Sequence, residues 1–153
     1  ADEIWNPDLE IPEGKWKLEQ LVYSYYLNNR SDEKHPYSQK AWLGTTVMPY
    51  GIIRTDTLDN LRSMDKHRKY MLPQIMPNGG WHFTNCGNAD FIRRKMNSYS
   101  HQEFNYPQIT DKIEKQIEEN KDFIGRDFKF WVDESEWPQY LKDNREKYAH
   151  LCK

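Results

Sequence analysis

The pattern of hydrophobic and polar positions in the first half of the chain predicts two loops, one ambiguous segment and one strand. Residues 4–12 are punctuated by prolines and predict a loop, and the polar residues 28–36 predict another. Residues 13–28 carry large apolar side chains, some at helical spacing, but the aromatic content also allows a strand over residues 22–27. Residues 41–48 are rich in β-branched and aromatic side chains and predict a strand.

The middle of the chain combines a helical pattern with strong breaking signals. Residues 57–70 predict a helix, for which Asp56 or Thr57 is a suitable cap. Two prolines then interrupt the chain, and the Gly79-Gly80 pair predicts a turn. Residues 81–84 predict a short strand after this turn.

Three helices are predicted in the remaining third of the chain. The first is capped by Asn88, runs to about Tyr99 and buries a stripe that contains Ile92 and Met96. The second covers residues 107–119, where isoleucine recurs every four positions. The third begins at Pro138, a residue suited to a first helical turn. Several helices with a few strands predict an α/β fold, and 153 residues fit a single domain spanning residues 1–153.

Composition and charge narrow the function classes. Aromatic residues make up 14% of the chain, which argues for a folded protein and suits contact with the apolar faces of sugar rings. A Tyr-rich core explains the same composition without any ligand. The net charge of −2 argues against a general nucleic-acid binder, and no apolar run reaches the length of a membrane-spanning helix.

The candidate chemistry lies in two acidic positions at the start of the chain and in the segment 79–105. Asp2 and Glu3 suit a hard divalent cation, and His82 beside Trp81 suits a metal or a phosphate oxygen. Glu103 follows a predicted helix and suits a general base. Each also has a plain structural reading: a solvated acidic pair, a half-buried histidine and an exposed loop carboxylate. The basic run at positions 93–95 suits either a solvated helix face or a diphosphate.

The order of several short segments resembles glycosyltransferase family 17. Ala1-Asp2-Glu3-Ile4 is similar to the last part of the family's Asp-x-Asp-Glu-Ile-Pro motif, and Gly80-Trp81-His82 is similar to its Gly-Trp-His block. Further matches are Tyr25-Tyr26-Leu27-Asn28, Trp42-Leu43-Gly44-Thr45, the helix with Ile92 and Lys95, and Glu103-Phe104. Trp5 departs from the family, which usually has proline there. The first aspartate of the motif would precede Ala1, so we expect this chain to be the later portion of a GT-A-like domain, without its N-terminal half.

The resemblance implies a metal-dependent inverting transferase that moves a sugar, N-acetylglucosamine by this likeness, from a UDP-sugar to a glycan hydroxyl. The implied donor site contains Asp2, Glu3, Trp81 and His82, with Asp2 and His82 holding Mn²⁺ or Mg²⁺. Glu103 is the implied base. The implied partners are the nucleotide-sugar donor, the glycan acceptor and a missing N-terminal half. The implied location is the cytoplasm for a bacterial or viral protein, or the Golgi lumen for a eukaryotic one.

Two other functions are open at this point. A non-catalytic carbohydrate-binding or scaffold domain of the same ancestry would use the aromatic faces alone. A glycoside hydrolase would need two carboxylates at a defined separation, for which Glu3 and Glu103 are the candidates. The transferase hypothesis requires that the N-terminal acids, His82 and Glu103 converge on one pocket.

Overall fold

The computed structural model of the chain describes residues 2–36, 38, 41–54, 57–62, 74–98 and 102–153. Within these residues the fold is mixed α/β, with one six-stranded sheet. The strands are β1 (Glu3–Trp5), β2 (Trp16–Ser24), β3 (Asn29–Ser31), β4 (Trp42–Val47), β5 (Gln74–Thr84) and β6 (Phe130–Val132). The helices are α1 (Tyr50–Ile53), α2 (Leu58–Arg62), α3 (Ala89–Asn97), α4 (Pro107–Thr110), α5 (Ile113–Glu118) and α6 (Gln139–Asp143), with 3-10 turns at Gln102–Phe104 and Ala149–Leu151.

The sheet is mixed because one of its ladders is parallel. Its order is β1-β5-β2-β3-β6, and β4 also pairs with β2. The β2–β5 ladder is parallel, whereas the other four ladders are antiparallel. The start of β2 pairs with β4 and its end pairs with β3, so both edges of this strand are covered along most of its length. This double coverage explains why β2 is largely buried and why its apolar residues do not alternate cleanly.

Two short strands correct the sequence prediction. Residues 4–12 were expected to form a loop, yet Ile4 and Trp5 belong to β1, which is held by β5. Residues 28–36 were also expected to form a loop, yet they contain β3, which lies between β2 and β6 in the sheet. Both strands have three residues, so their pairing with distant partners rather than their own pattern defines them. The helical reading of residues 13–28 was also wrong, because Trp16–Ser24 form β2. The alternative strand over residues 22–27 overlaps only the end of β2.

The Gly79-Gly80 pair lies inside β5 and does not form a turn. A Cβ on Gly79 would come within 2.6 Å of the Leu18 Cβ, and one on Gly80 within 2.1 Å of the Ile4 carbonyl oxygen. Gly80 also has a φ of +133°, which favours glycine. The two glycines therefore let β5 lie close to β2 on one side and to β1 on the other.

Local signals located the other elements more accurately. The strand predicted over residues 41–48 is β4, and the helix capped by Asn88 is α3, in which the Asn88 side chain accepts a 2.9 Å hydrogen bond from the Phe91 N–H. The helix predicted over residues 107–119 is divided into α4 and α5. The helix predicted to begin at Pro138 is α6, in which Pro138 is the N-cap and the helix begins one residue later. The predicted helix over residues 57–70 is described only as far as α2, and Tyr99 lies outside the described residues.

Because side chains alternate between the two faces of the sheet, the core consists of two separate clusters. Tyr23 and Phe83 stack on one face, where Trp81, Trp137 and Leu141 join them in a core cluster. A second cluster packs α3, α4 and α5 together through Ile92, Met96, Ile109 and Ile113.

None of the helices in the described part of the chain has the length and apolar composition needed to cross a bilayer.

Candidate functional site

The pairing of β1 with β5 brings the N-terminal acids to the predicted histidine. Glu3 and His82 are Cα partners in this antiparallel ladder, so their side chains leave the sheet on the same face. The Glu3 Oε1 atom lies 3.5 Å from His82 Nδ1, which is long for a hydrogen bond but close for a charge interaction. Among the described residues His82 Nδ1 has no closer hydrogen-bond partner. A carboxylate only accepts, so we assign the imidazole proton to Nδ1.

A short chain of polar contacts holds Glu3 in place. The Thr45 hydroxyl donates to Glu3 Oε2, and the Trp5 indole N–H donates to Thr45 Oγ1 over 2.9 Å. The contact with His82 lowers the pKa of Glu3 to about 2, and the Thr45 hydrogen bond acts in the same direction against the opposing effect of burial. Glu3 is therefore a fixed negative charge beside the imidazole at neutral pH.

His82 and Asp2 line a cavity of about 210 Å³ on this face of the sheet. The charged and aromatic side chains in its wall are Asp2, Glu33, Trp42, His82, Lys95, Phe123 and Arg126. Trp42 and His82 are ring neighbours with centroids 5.9 Å apart. The cavity therefore combines two cationic groups, two carboxylates, an imidazole and an indole, which is a suitable set for a ligand with both phosphate and sugar parts.

Lys95 forms the cationic wall next to Asp2. Its Nζ lies 3.1 Å from Asp2 Oδ2 and 3.2 Å from Thr84 Oγ1. Arg93, two residues earlier on a different face of α3, instead donates to Glu114 outside the cavity. The basic run at positions 93–95 is thus divided between a structural ion pair and the site.

Arg126 forms the opposite cationic wall and was not identified from the sequence. It donates to both oxygens of Asp122, over 3.1 and 2.7 Å, and to Glu33 Oε1 over 2.9 Å. Asp122 is 4% exposed, so this charge depends on its guanidinium partner. Burial raises the pKa of Glu33, while the charge of Arg126 opposes that rise. Glu33 and Arg126 are far apart in sequence and belong to no motif, so only the fold reveals the pair.

Trp81 does not share this cavity. Successive side chains of a strand point to opposite faces, so the indole of Trp81 lies on the other side of the sheet from His82. It lines a separate cavity of about 480 Å³ and donates from Nε1 to the Glu136 carbonyl oxygen over 2.5 Å. The donor site expected from the sequence is therefore divided, with Asp2, Glu3 and His82 together and Trp81 apart.

Glu103 lies outside the wall of the His82 cavity. It is exposed, in the 3-10 turn Gln102–Phe104, and it is absent from the described residues that line the cavity. The neighbouring Gln102 side chain donates to the Met96 carbonyl over 2.9 Å, and Met96 does line the cavity. The convergence on one pocket that the transferase hypothesis requires is therefore met by Asp2 and His82 but not by Glu103. His101 lies outside the described residues.

The described residues contain no group of three or more His, Cys, Asp or Glu side chains arranged to hold a metal ion. Mg²⁺ often binds through only one or two carboxylates together with waters and substrate phosphates. Asp2 offers a carboxylate and His82 an imidazole in one cavity, so this donor set fits a cation that a phosphate ligand completes. Comparisons with protein-family models, with curated proteins and with solved structures found nothing that matches the chain.

Proposed function

We propose that the chain belongs to a GT-A-like glycosyltransferase domain related to family 17. In this proposal it transfers a sugar, N-acetylglucosamine, from a UDP-sugar to a hydroxyl of a glycan acceptor, with Mn²⁺ or Mg²⁺. One observation carries the proposal. The Asp-Glu-Ile segment and the Gly-Trp-His segment, two pieces of the resemblance that are distant in sequence, pair in register and place Glu3 against His82.

The charges of the cavity support a diphosphate ligand. Lys95 and Arg126 stand on its walls, and both can donate to phosphate oxygens. The volume of about 210 Å³ is below the roughly 300–1,000 Å³ of typical ligand pockets. We therefore assign this cavity to the diphosphate and the transferred sugar rather than to a whole nucleotide-sugar. Trp42 supplies an aromatic face for the sugar ring.

Asp2 and His82 are the residues that would hold the cation. When bound, the cation would neutralise charge that develops on the departing diphosphate. Lys95 already lies 3.1 Å from Asp2 and competes for the same carboxylate. Glu3 acts one step away, since its carboxylate lies 3.5 Å from Nδ1 of His82 and orients the imidazole ring.

The proposed reaction is a single displacement with inversion. The acceptor oxygen forms a bond to the anomeric carbon, the bond from that carbon to the diphosphate oxygen breaks, and a base takes the acceptor proton. Glu103 is the base implied by the resemblance. Glu33 is a second candidate because it lines the cavity and its pKa is raised by burial. The ion pair with Arg126 weakens its claim, since a base must be free to accept the proton.

Titration calorimetry with UDP in the presence of Mn²⁺ tests the proposal. We expect binding that His82→Ala weakens at least tenfold, and that the control His150→Ala, an exposed histidine outside the cavity, leaves unchanged. Absence of UDP binding with Mn²⁺ would remove the proposal. Equal affinities of the two variants would remove His82 from the site.

A further inference from the structure

We propose that the cavity around Trp81 binds neutral carbohydrate. This inference goes beyond the proposed transfer reaction and does not depend on it, because the cavity lies on the opposite face of the sheet from His82. Register and alternation establish this arrangement. Leu21 and Trp81 are Cα partners in the β2–β5 ladder and both line the Trp81 cavity, whereas Val22 and His82 are the next pair.

The size of the cavity suits a small saccharide. Its volume of about 480 Å³ lies within the roughly 300–1,000 Å³ of ligand pockets. It is more than twice the volume of the His82 cavity, which is about 210 Å³. A short oligosaccharide therefore has room here.

The indole of Trp81 is a preorganised platform. Its N–H donates to the Glu136 carbonyl oxygen, which fixes the orientation of the ring. The ring packs against the buried cluster of Tyr23, Trp137 and Leu141, yet Trp81 keeps part of its surface exposed. Flat aromatic faces bind the apolar C–H faces of sugars, and a ring that is already held loses little freedom on binding.

Polar side chains around the cavity suit hydroxyl groups. The Asn78 amide and the Glu136 carboxylate are exposed, and neither side chain makes a hydrogen bond within the described part of the chain. Asn78 has a φ of +55°, and its carbonyl accepts a 3.2 Å hydrogen bond from the Asn6 side chain. An amide both donates and accepts, as a sugar hydroxyl does, so these groups complement a polyol.

The charges of the cavity disfavour a phosphorylated ligand. Glu19 and Glu136 contribute two carboxylates. Arg30 is the cationic residue in the lining, and its guanidinium lies 2.7 Å from Asp133, which neutralises it. An anion would meet net negative charge here, in contrast to the two cationic walls of the His82 cavity. A neutral saccharide satisfies the polar groups without this repulsion.

The experiment is a titration with mannotriose and with triacetylchitotriose, followed by the tryptophan indole N–H resonances. It is performed with EDTA and without nucleotide, so that failure of the transferase proposal does not affect it. We expect the Trp81 resonance to move on addition of one of these sugars, while that of Trp16, whose indole N–H donates to the Pro12 carbonyl outside the cavity, does not move. Absence of any shift with both sugars at millimolar concentration would overturn the proposal, as would shifts confined to Trp42 in the His82 cavity.

Variants make the assignment specific. Trp81→Phe keeps an apolar ring for the core but loses the larger face and the indole donor, so we expect affinity to fall about three- to tenfold. Glu136→Ala removes an exposed carboxylate without touching the core, and we expect a comparable loss. The matched control Glu146→Ala removes an exposed carboxylate elsewhere and should leave affinity unchanged. If Glu136→Ala and Glu146→Ala bind alike, and Trp81→Phe binds as the parent does, the cavity is not a sugar site.

Discussion

Glu3 and His82 face each other across the β1–β5 ladder, with 3.5 Å between Oε1 and Nδ1. This contact joins the start of the chain to its middle and gives the candidate site its orientation. The carboxylate stays ionised at neutral pH, because the contact with His82 lowers its pKa. Any chemistry of the imidazole in this cavity therefore takes place beside a fixed negative charge.

The depressed pKa of Glu3 predicts a pH dependence of stability. Its folded pKa is about 2 against an ordinary value of 4.5, so its contribution is fully present above the ordinary value and is lost as the pH falls through the folded one. We expect Glu3→Gln to lower the free energy of unfolding at pH 7 by about 1–2 kcal/mol. The difference between parent and variant should shrink as the pH falls from about 5 towards 2. Urea unfolding of both proteins across this pH range measures the difference in the free energy of unfolding. A difference that grows on acidification would contradict the depressed pKa assigned to Glu3.

Gly80 tests the β1–β5 pairing itself. Gly80→Ala places a Cβ 2.1 Å from the Ile4 carbonyl oxygen at a φ of +133°, so β1 must separate from β5. We expect the amide of Phe83, which donates to the Asp2 carbonyl over 2.7 Å, to lose protection from hydrogen exchange. Gly51→Ala is the control, because nothing lies within 4 Å of its Cβ. Unchanged protection in Gly80→Ala would show that the pairing is wrong.

Arg126 tests the opposite wall of the cavity. Arg126→Ala leaves Asp122 and Glu33 buried without their cation, which in a fully buried pair costs roughly 3–5 kcal/mol. The Arg126 side chain is 41% exposed, so we expect a smaller loss of about 2 kcal/mol in urea unfolding.

Arg145→Ala is the matched control for Arg126→Ala. It breaks the more exposed pair with Glu134, and we expect it to cost less than about 1 kcal/mol. If the two variants were equally stable, Arg126 would not have the structural role assigned to it.

Lys95 tests the cation site. Lys95→Ala removes the ammonium that shares the Asp2 carboxylate, so we expect Mn²⁺ to bind several-fold more tightly in a calorimetric titration. Arg94→Ala removes an exposed charge from the same helix outside the cavity and serves as the control for net charge. Equal Mn²⁺ affinity in the two variants, or no Mn²⁺ binding with UDP present, would favour a carbohydrate-binding domain that does not use metal.

Turnover measurements on glutamine variants distinguish the two carboxylates proposed as the base, Glu103 and Glu33. Glu103→Gln should reduce sugar transfer by about 100-fold or more while UDP affinity stays unchanged, since loss of a general base affects the chemical step. Glu33→Gln should instead lower stability through its contact with Arg126. A fully active Glu103→Gln variant combined with an inactive but folded Glu33→Gln variant would transfer the role of base to Glu33.

Local signals in the sequence were sufficient for elements that carry their own pattern. β4 has β-branched and aromatic residues, and α3 has a cap and an apolar stripe, so both were predicted close to their observed bounds. β1 and β3 have three residues each, and their pairing with the distant strands β5 and β6 is recorded in no local pattern. The glycines at positions 79 and 80 gave a turn signal, yet their lack of a side chain serves close strand packing.

The residues of the candidate site were likewise only partly predictable from the sequence. Asp2, Glu3 and His82 were identified from residue type and resemblance, and β-pairing brings them together. The separation of Trp81 from His82 follows from the alternation of a strand, which the predicted strand over residues 81–84 already implied. Glu33 and Arg126 gave no signal, because neither belongs to a motif and their contact depends on the packing of distant segments.

The measurement that most directly tests the proposed transferase is the release of UDP from UDP-N-acetylglucosamine in the presence of Mn²⁺. We predict release of UDP that EDTA abolishes and that His82→Ala reduces at least tenfold, whereas His150→Ala leaves it unchanged. A folded protein that releases no UDP with Mn²⁺ and a glycan acceptor, and whose His82 variant binds UDP as the parent does, would contradict it.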